Sequence, residues 1–186
     1  MSAPSPSTDT VLLCVDMQPV FVRAVTDGEQ VQRRCAFAVA AAHGLGLPVV
    51  FTEQVPAKLG GTAPELLALA PTAPTFGKNT FSALADTTIR EHLVTSLAAE
   101  HLLLCGIETP ICIYQTALAA RAEGWQVTLL TDAVGARRSD DAASCLTALR
   151  ATGVHVLPAE TVFYALLHDV SHPFFKTYTQ LVKSHA

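Results

Sequence analysis

No Cys-x-x-Cys spacing occurs among the five cysteines, Cys14, Cys35, Cys105, Cys112 and Cys145, and their number is odd. That pattern supports neither a disulfide framework nor a cysteine zinc site. The seven histidines form no His-x-His or His-Glu-x-x-His spacing. The chain is therefore expected to hold no dedicated metal and to need no cofactor. Charge is scarce, at 15% of residues, and the net charge is −4. Its only adjacent basic pairs are Arg33-Arg34 and Arg137-Arg138. A nucleic-acid footprint is not expected from that balance, and these arginines read as solvated faces or an anion contact. No apolar run reaches membrane-spanning length. The opening MSAPSPSTDT lacks the basic and apolar regions of a secretory signal and reads as a flexible lead over residues 1–10. Free cysteines and no signal point to a reducing cytoplasm. Internal repeats and low-complexity segments are absent.

What the chain does have is apolar residue, half of its 186 positions. That is enough for one full core, read as a single domain over residues 11–186. The excess also suggests a sheet covered on both faces and a subunit interface, hence a homo-oligomer. Continuous apolar runs at 11–15 (VLLCV), 47–52 (LPVVFT), 101–105 and 126–130 read as strands buried on both faces. Shorter strands are expected at 74–76 and 154–157. Between them Val31, Cys35, Ala38, Val39 and Ala42 form one helical stripe, and Ala142, Cys145, Leu146 and Leu149 another. Thr88-x-x-Glu91 reads as a capping box before the stripe Ile89, Leu93, Leu97. The tail from 158 reads as one or two helices. Strand and helix alternate throughout, which predicts an α/β fold: a doubly wound, mostly parallel six-stranded sheet with helices on both faces.

The chemistry concentrates where such sheets bind ligands, at the carboxyl ends of the strands. Asp16 ends the first strand. Cys112 follows the 101–105 strand, with Thr109 read as an N-cap and Pro110 as a first helical residue. A cysteine in a helix's first turn lies among unpaired N–H groups, a setting that favours thiolate over thiol. Cys14 and Cys105 lie in apolar strand runs and Cys35 and Cys145 on buried helix faces, so those four read as core. No histidine stands at a strand end, which leaves Asp16 as the candidate base. The Pro/Gly-rich loop 55–64 is a natural pocket wall. Lys78 falls in a loop after the third strand. Gly44-x-Gly46 precedes a strand and lacks a third glycine, so it is no dinucleotide fingerprint.

The segments LLCVDMQ, TEQVPAKLGGTAPEL, FGKNTFS, CGIETPICIYQTA and SHPFFK together resemble the isochorismatase-like cysteine hydrolases, in the branch of isochorismatase-domain and YcaC-like proteins. The resemblance runs from about Val11 to Lys183. It implies an Asp–Lys–Cys triad at Asp16, Lys78 and Cys112, and a cis peptide at Ile107-Glu108. It also implies an oxyanion hole made of the Glu108 and Cys112 N–H groups. Substrate contacts would fall to Gln18, Phe21, Gln54, Phe81, Glu108 and Tyr114. The implied reaction is acyl transfer on a small molecule through a thioester, with Asp16 as the base. Thr52-Glu53-Gln54 stands where nicotinamidase relatives carry metal-binding histidines, which argues against nicotinamide. Two other readings compete with this one: vinyl-ether hydrolysis with Asp16 as acid, and a non-catalytic oligomeric binding protein.

Overall fold

A computed structural model describes residues 9–185. Six strands form one sheet: β1 (Thr10–Val15), β2 (Val49–Gln54), β3 (Thr75–Lys78), β4 (His101–Ile107), β5 (Gln126–Gly135) and β6 (His155–Leu157). Their order is β3-β2-β1-β4-β5-β6, and every neighbouring pair is parallel. Most of the lead expected at 1–10 lies outside the described residues, but Thr10 already pairs with His101 in the sheet.

Strand alternation sends successive side chains to opposite faces. Leu12 and Cys14 point to one side of β1, where the helices Gly28–Gly44, Ala159–Leu167 and Phe175–Ser184 contribute Phe37, Phe163 and Tyr178. Val11, Leu13 and Val15 point to the other, against Ile89, Leu93, Ala117 and Leu149. The predicted architecture is present, and the sheet is parallel throughout.

Several boundaries moved for identifiable reasons. β2 begins after Pro48, which has no N–H for a ladder, and it extends to Gln54 because Glu53 and Gln54 pair with Gly77 and Lys78. Lys78 is thus the last residue of a strand and does not sit in a loop. β5 runs on to Gly135, since the ladder slips between Leu104 and Gly106 and then pairs Gly106 with Val134. Gly106 has φ +117°, and a Cβ there would stand 2.1 Å from the Val15 carbonyl oxygen, so only glycine fits.

Three sequence expectations need correction. The helix Thr87–Glu91 is capped by Asp86, whose Oδ1 accepts from the Thr88 and Ile89 N–H groups, and no Thr88–Glu91 box forms. Asp86 directly precedes the first turn and reaches those donors without competition. Arg34 is not solvated: it is 6% exposed and pairs with Asp132 at 2.7 Å. It also donates to His185 O at 3.1 Å, tying a core helix to β5 and the tail. Cys145 is only half-buried, because its helix presents that side to the rim of the core.

His101 is set between Thr10 Oγ1 and Thr128 Oγ1, at the amino ends of β1, β4 and β5. Burial lowers its pKa below the ordinary 6.5. The unfolded chain therefore takes up this proton more readily than the folded one. The stability linked to His101 is complete above pH 6.5 and is lost as pH falls toward the folded value. Urea titrations between pH 7 and 5 should show a decline that is smaller in His101→Gln. An equal decline in both proteins would remove His101 as its cause.

Candidate active site

The strand order brings together the carboxyl ends of β1, β3 and β4, although they are far apart in sequence. Asp16 follows β1 with φ 53° and is 1% exposed. Its Oδ2 accepts from Lys78 Nζ at 2.7 Å, and the two side chains are 1% and 0% exposed. Its Oδ1 accepts from the Thr52 hydroxyl at 2.8 Å, and its backbone N–H donates to Thr52 O at 3.0 Å. Lys78 Nζ also donates to Gln54 Oε1 at 2.6 Å and Thr80 O at 3.2 Å. It lies 3.7 Å from Cys112 Sγ. One ammonium thus touches both the carboxylate and the sulfur.

Cys112 sits in a wide turn, Thr109–Ile113, that feeds the helix Tyr114–Ala122. The Ile107-Glu108 peptide before it is cis. Thr109 does not act as the cap. Its hydroxyl donates instead to Gly135 O at 3.1 Å, the nearest acceptor at the end of the lengthened β5. Glu108 takes the cap position through its backbone, and its carbonyl accepts from the Ile111 and Ile113 N–H groups. The expected thiolate also needs correction. Burial pushes the Cys112 thiol up to about 12, the Asp16 carboxylate adds to the rise, and Lys78 opposes it. Desolvation and the Asp16 carboxylate together outweigh Lys78, so the sulfur rests as a thiol at neutral pH.

The expected substrate contacts divide into two groups. Gln18 is wholly buried, with Nε2 donating to Gln54 O and Gly60 O and Oε1 accepting from Gln54 N. Its amide therefore braces the 55–64 loop and has no polar atom left for a ligand. Gln54 is likewise taken up, since Nε2 donates to Asn79 O while Oε1 holds Lys78. The Glu108 carboxylate accepts from both the backbone N–H and the guanidinium of Arg137. Arg138 pairs with Asp141. Phe21 and Tyr114 are half-buried against opposite faces of the core, and Phe81 is 55% exposed. Thr52 was not anticipated. The only hint was a hydroxyl closing the run VVFT beside the Asp16 strand.

Three other cysteines meet on the far side of β1. Cys14, Cys35 and Cys105 place their sulfurs within 4.8 Å of one another, the only such grouping of candidate metal ligands among the described residues. Cys14 and Cys105 are register partners, and Cys35 donates to Ala133 O at 3.2 Å. All three are buried in an apolar cluster, and burial holds the Cys35 thiol well above its ordinary range. Thiols that resist ionisation among aliphatic neighbours pack as small core residues. Among the described residues, no helix is long and apolar enough to cross a membrane.

A profile of the isochorismatase domain matches residues 10–161. Isochorismatase domain-containing protein 2 of Bos taurus is 36% identical over 180 residues, covering 96% of this chain and 84% of the relative. The structure of MAR1 ribonuclease from Caenorhabditis elegans superposes with a TM-score of 0.89 at 26% identity, covering 98% of this chain and 93% of that one. The YcaC gene product of Escherichia coli, described as an octameric hydrolase of unknown specificity, gives 0.83 at 23% identity over 96% and 94%.

Proposed function

Since the chain belongs to the isochorismatase family, we propose that it is a metal-independent cysteine hydrolase cleaving a C–N bond of a small amide through a thioester. The observation that carries this reading is the Lys78 ammonium in contact with both Asp16 and Cys112. Asp16 takes the Cys112 proton as the sulfur attacks the carbonyl carbon. The resulting oxyanion is held by the Glu108 and Cys112 N–H groups, and one such donor contributes on the order of 10²–10³ in rate. The C–N bond then breaks, and Asp16 returns the proton to the leaving amine. Water, activated by Asp16, hydrolyses the thioester and frees the acid. A thiol pushed up to about 12 supports a concerted proton transfer over a standing thiolate. Phe21, Phe81 and Tyr114 are the substrate walls of this proposal.

The vinyl-ether reading requires Asp16 to enter the reaction already protonated. Both of its oxygens instead face donors, the Lys78 ammonium and the Thr52 hydroxyl, which suits a base. The ribonuclease among the structural neighbours raises RNA as a substrate. Against it stand the net charge of −4, the buried Lys78, and the engagement of Arg137 by Glu108. A phosphate track would need basic groups left free. The working form is proposed as a homo-oligomer of one domain in a reducing compartment, on exposed Phe81 and Val170 and five unpaired cysteines.

Alkylation tests the base without a known substrate. Iodoacetamide should modify Cys112 at a rate that falls at least about tenfold in Asp16→Asn. Modification of the half-buried Cys145 should not change. Peptide mass spectrometry reads both sites in one sample. Cys112 labelling that is unchanged or faster in Asp16→Asn, as expected if the carboxylate only holds the thiol protonated, would overturn the base assignment, and the binding-protein reading would then be preferred.

A further inference from the structure

Asp16 and Lys78 form a buried ion pair, and the attraction within such a pair offsets its desolvation only if its remaining hydrogen-bonding capacity is met. β2 meets it. Thr52 and Gln54 are two residues apart on that strand, so their side chains share a face. Thr52 lies opposite Val15 in register, next to Asp16, and Gln54 lies opposite Lys78. The Thr52 hydroxyl donates to the Asp16 oxygen that Lys78 leaves free, 2.8 Å away. Gln54 Oε1 takes a second Lys78 N–H at 2.6 Å, and Thr80 O and Cys112 Sγ share the third.

The Gln54 amide has only one workable orientation. Nε2 faces the Asn79 carbonyl, which can only accept, and Oε1 faces an ammonium, which can only donate. A flip would set donor against donor and acceptor against acceptor. Gln54 is further fixed through its backbone, which exchanges both hydrogen bonds with the Gln18 amide. The acceptor offered to Lys78 is neutral, so among the described residues Asp16 remains the only carboxylate on the ammonium.

We propose that Thr52 and Gln54 are positioning residues, Thr52 orienting the Asp16 carboxylate and Gln54 aiming the Lys78 ammonium, so that both meet Cys112 in one geometry. The inference rests on the reading of Asp16 as the base for Cys112. It reassigns Gln54 from substrate contact to support of the ion pair. A carboxylate held at one oxygen only can rotate away from the sulfur, and a 1 Å misplacement is costly in such sites.

The experiment is a double-mutant cycle read by Cys112 alkylation with iodoacetamide. Thr52→Val keeps the shape and removes the hydroxyl, and should slow Cys112 about tenfold. Thr52→Ser should return the rate to within about twofold of the parent. In an Asp16→Asn background Thr52→Val should have no further effect, because the group it positions is gone. Gln54→Met should slow Cys112 comparably and lose its effect in a Lys78→Met background. Labelling of Cys145 reports the fold in every sample.

A parent-like rate in both Thr52→Val and Gln54→Met would overturn the proposal. So would a slowing that persists undiminished without Asp16 or Lys78, since that marks a purely structural role. If Thr52→Val fails to fold, the Gln54→Met arm and the Thr52→Ser rate decide alone. Should Asp16→Asn itself leave Cys112 unaffected or faster, it is the base reading that fails, and the two failures are told apart.

Discussion

Cys112→Ala is expected to abolish amide turnover, a fall on the order of 10⁴–10⁶ in kcat once a substrate is found, the scale seen when a covalent nucleophile is removed. The assay is a screen of small amides, with RNA included, for release of ammonia or cleaved product. The magnitude follows from what remains without the sulfur. The proposed hole of two N–H groups would still polarise a carbonyl, but Asp16 would have only water to activate. The fall should be larger than for Asp16→Asn, where general-base assistance accounts for about 10²–10⁴. Release that survives Cys112→Ala but not Asp16→Asn would move the chemistry to Asp16 and favour the vinyl-ether type of reaction. Cys112 is 7% exposed, so only a small part of its surface is open to solvent.

The second large effect concerns stability. Lys78→Met should lower the unfolding free energy by about 3–5 kcal/mol, because it strands a buried carboxylate. Asp16 is 1% exposed and loses the partner at 2.7 Å, and the Thr52 hydroxyl at Oδ1 cannot replace a charge. The double variant Asp16→Asn, Lys78→Met should recover much of that loss, since neutralising both partners leaves no uncompensated charge. Urea unfolding, compared at unchanged slope, measures both values. A double variant no more stable than Lys78→Met would mean that the ion pair is not the cause. If recovery occurs with activity still absent, the charges are kept for chemistry at a cost in stability.

Much of the layout was readable along the chain. Most strands contain a short apolar run, and the two longest helices carry a stripe at i, i+4, i+7. These are local periodicities, so they survive without knowledge of neighbours. Asp16 was legible in the same way at a strand end, and Cys112 in the turn after a strand, whereas Lys78 read as a loop lysine and only the paired β3 makes it a strand end. Their joint role was implied by resemblance to a known family.

What the sequence could not determine was every property that depends on which strand lies beside which. Thr52 matters because β2 pairs with β1 in a register that sets it next to Asp16. Gln18 and Gln54 looked like ligand contacts until the fold brought them together and took up their amides. Arg34 looked like surface until β5 and the tail closed over it. Cys112 looked like a thiolate from its place in a helix's first turn, but burial and the Asp16 carboxylate keep its proton on. Periodicity and turn chemistry act between residues a few positions apart, and the chain carries them in its order. Burial, protonation and hydrogen-bond partners are set through space, and only the packed sheet decides them.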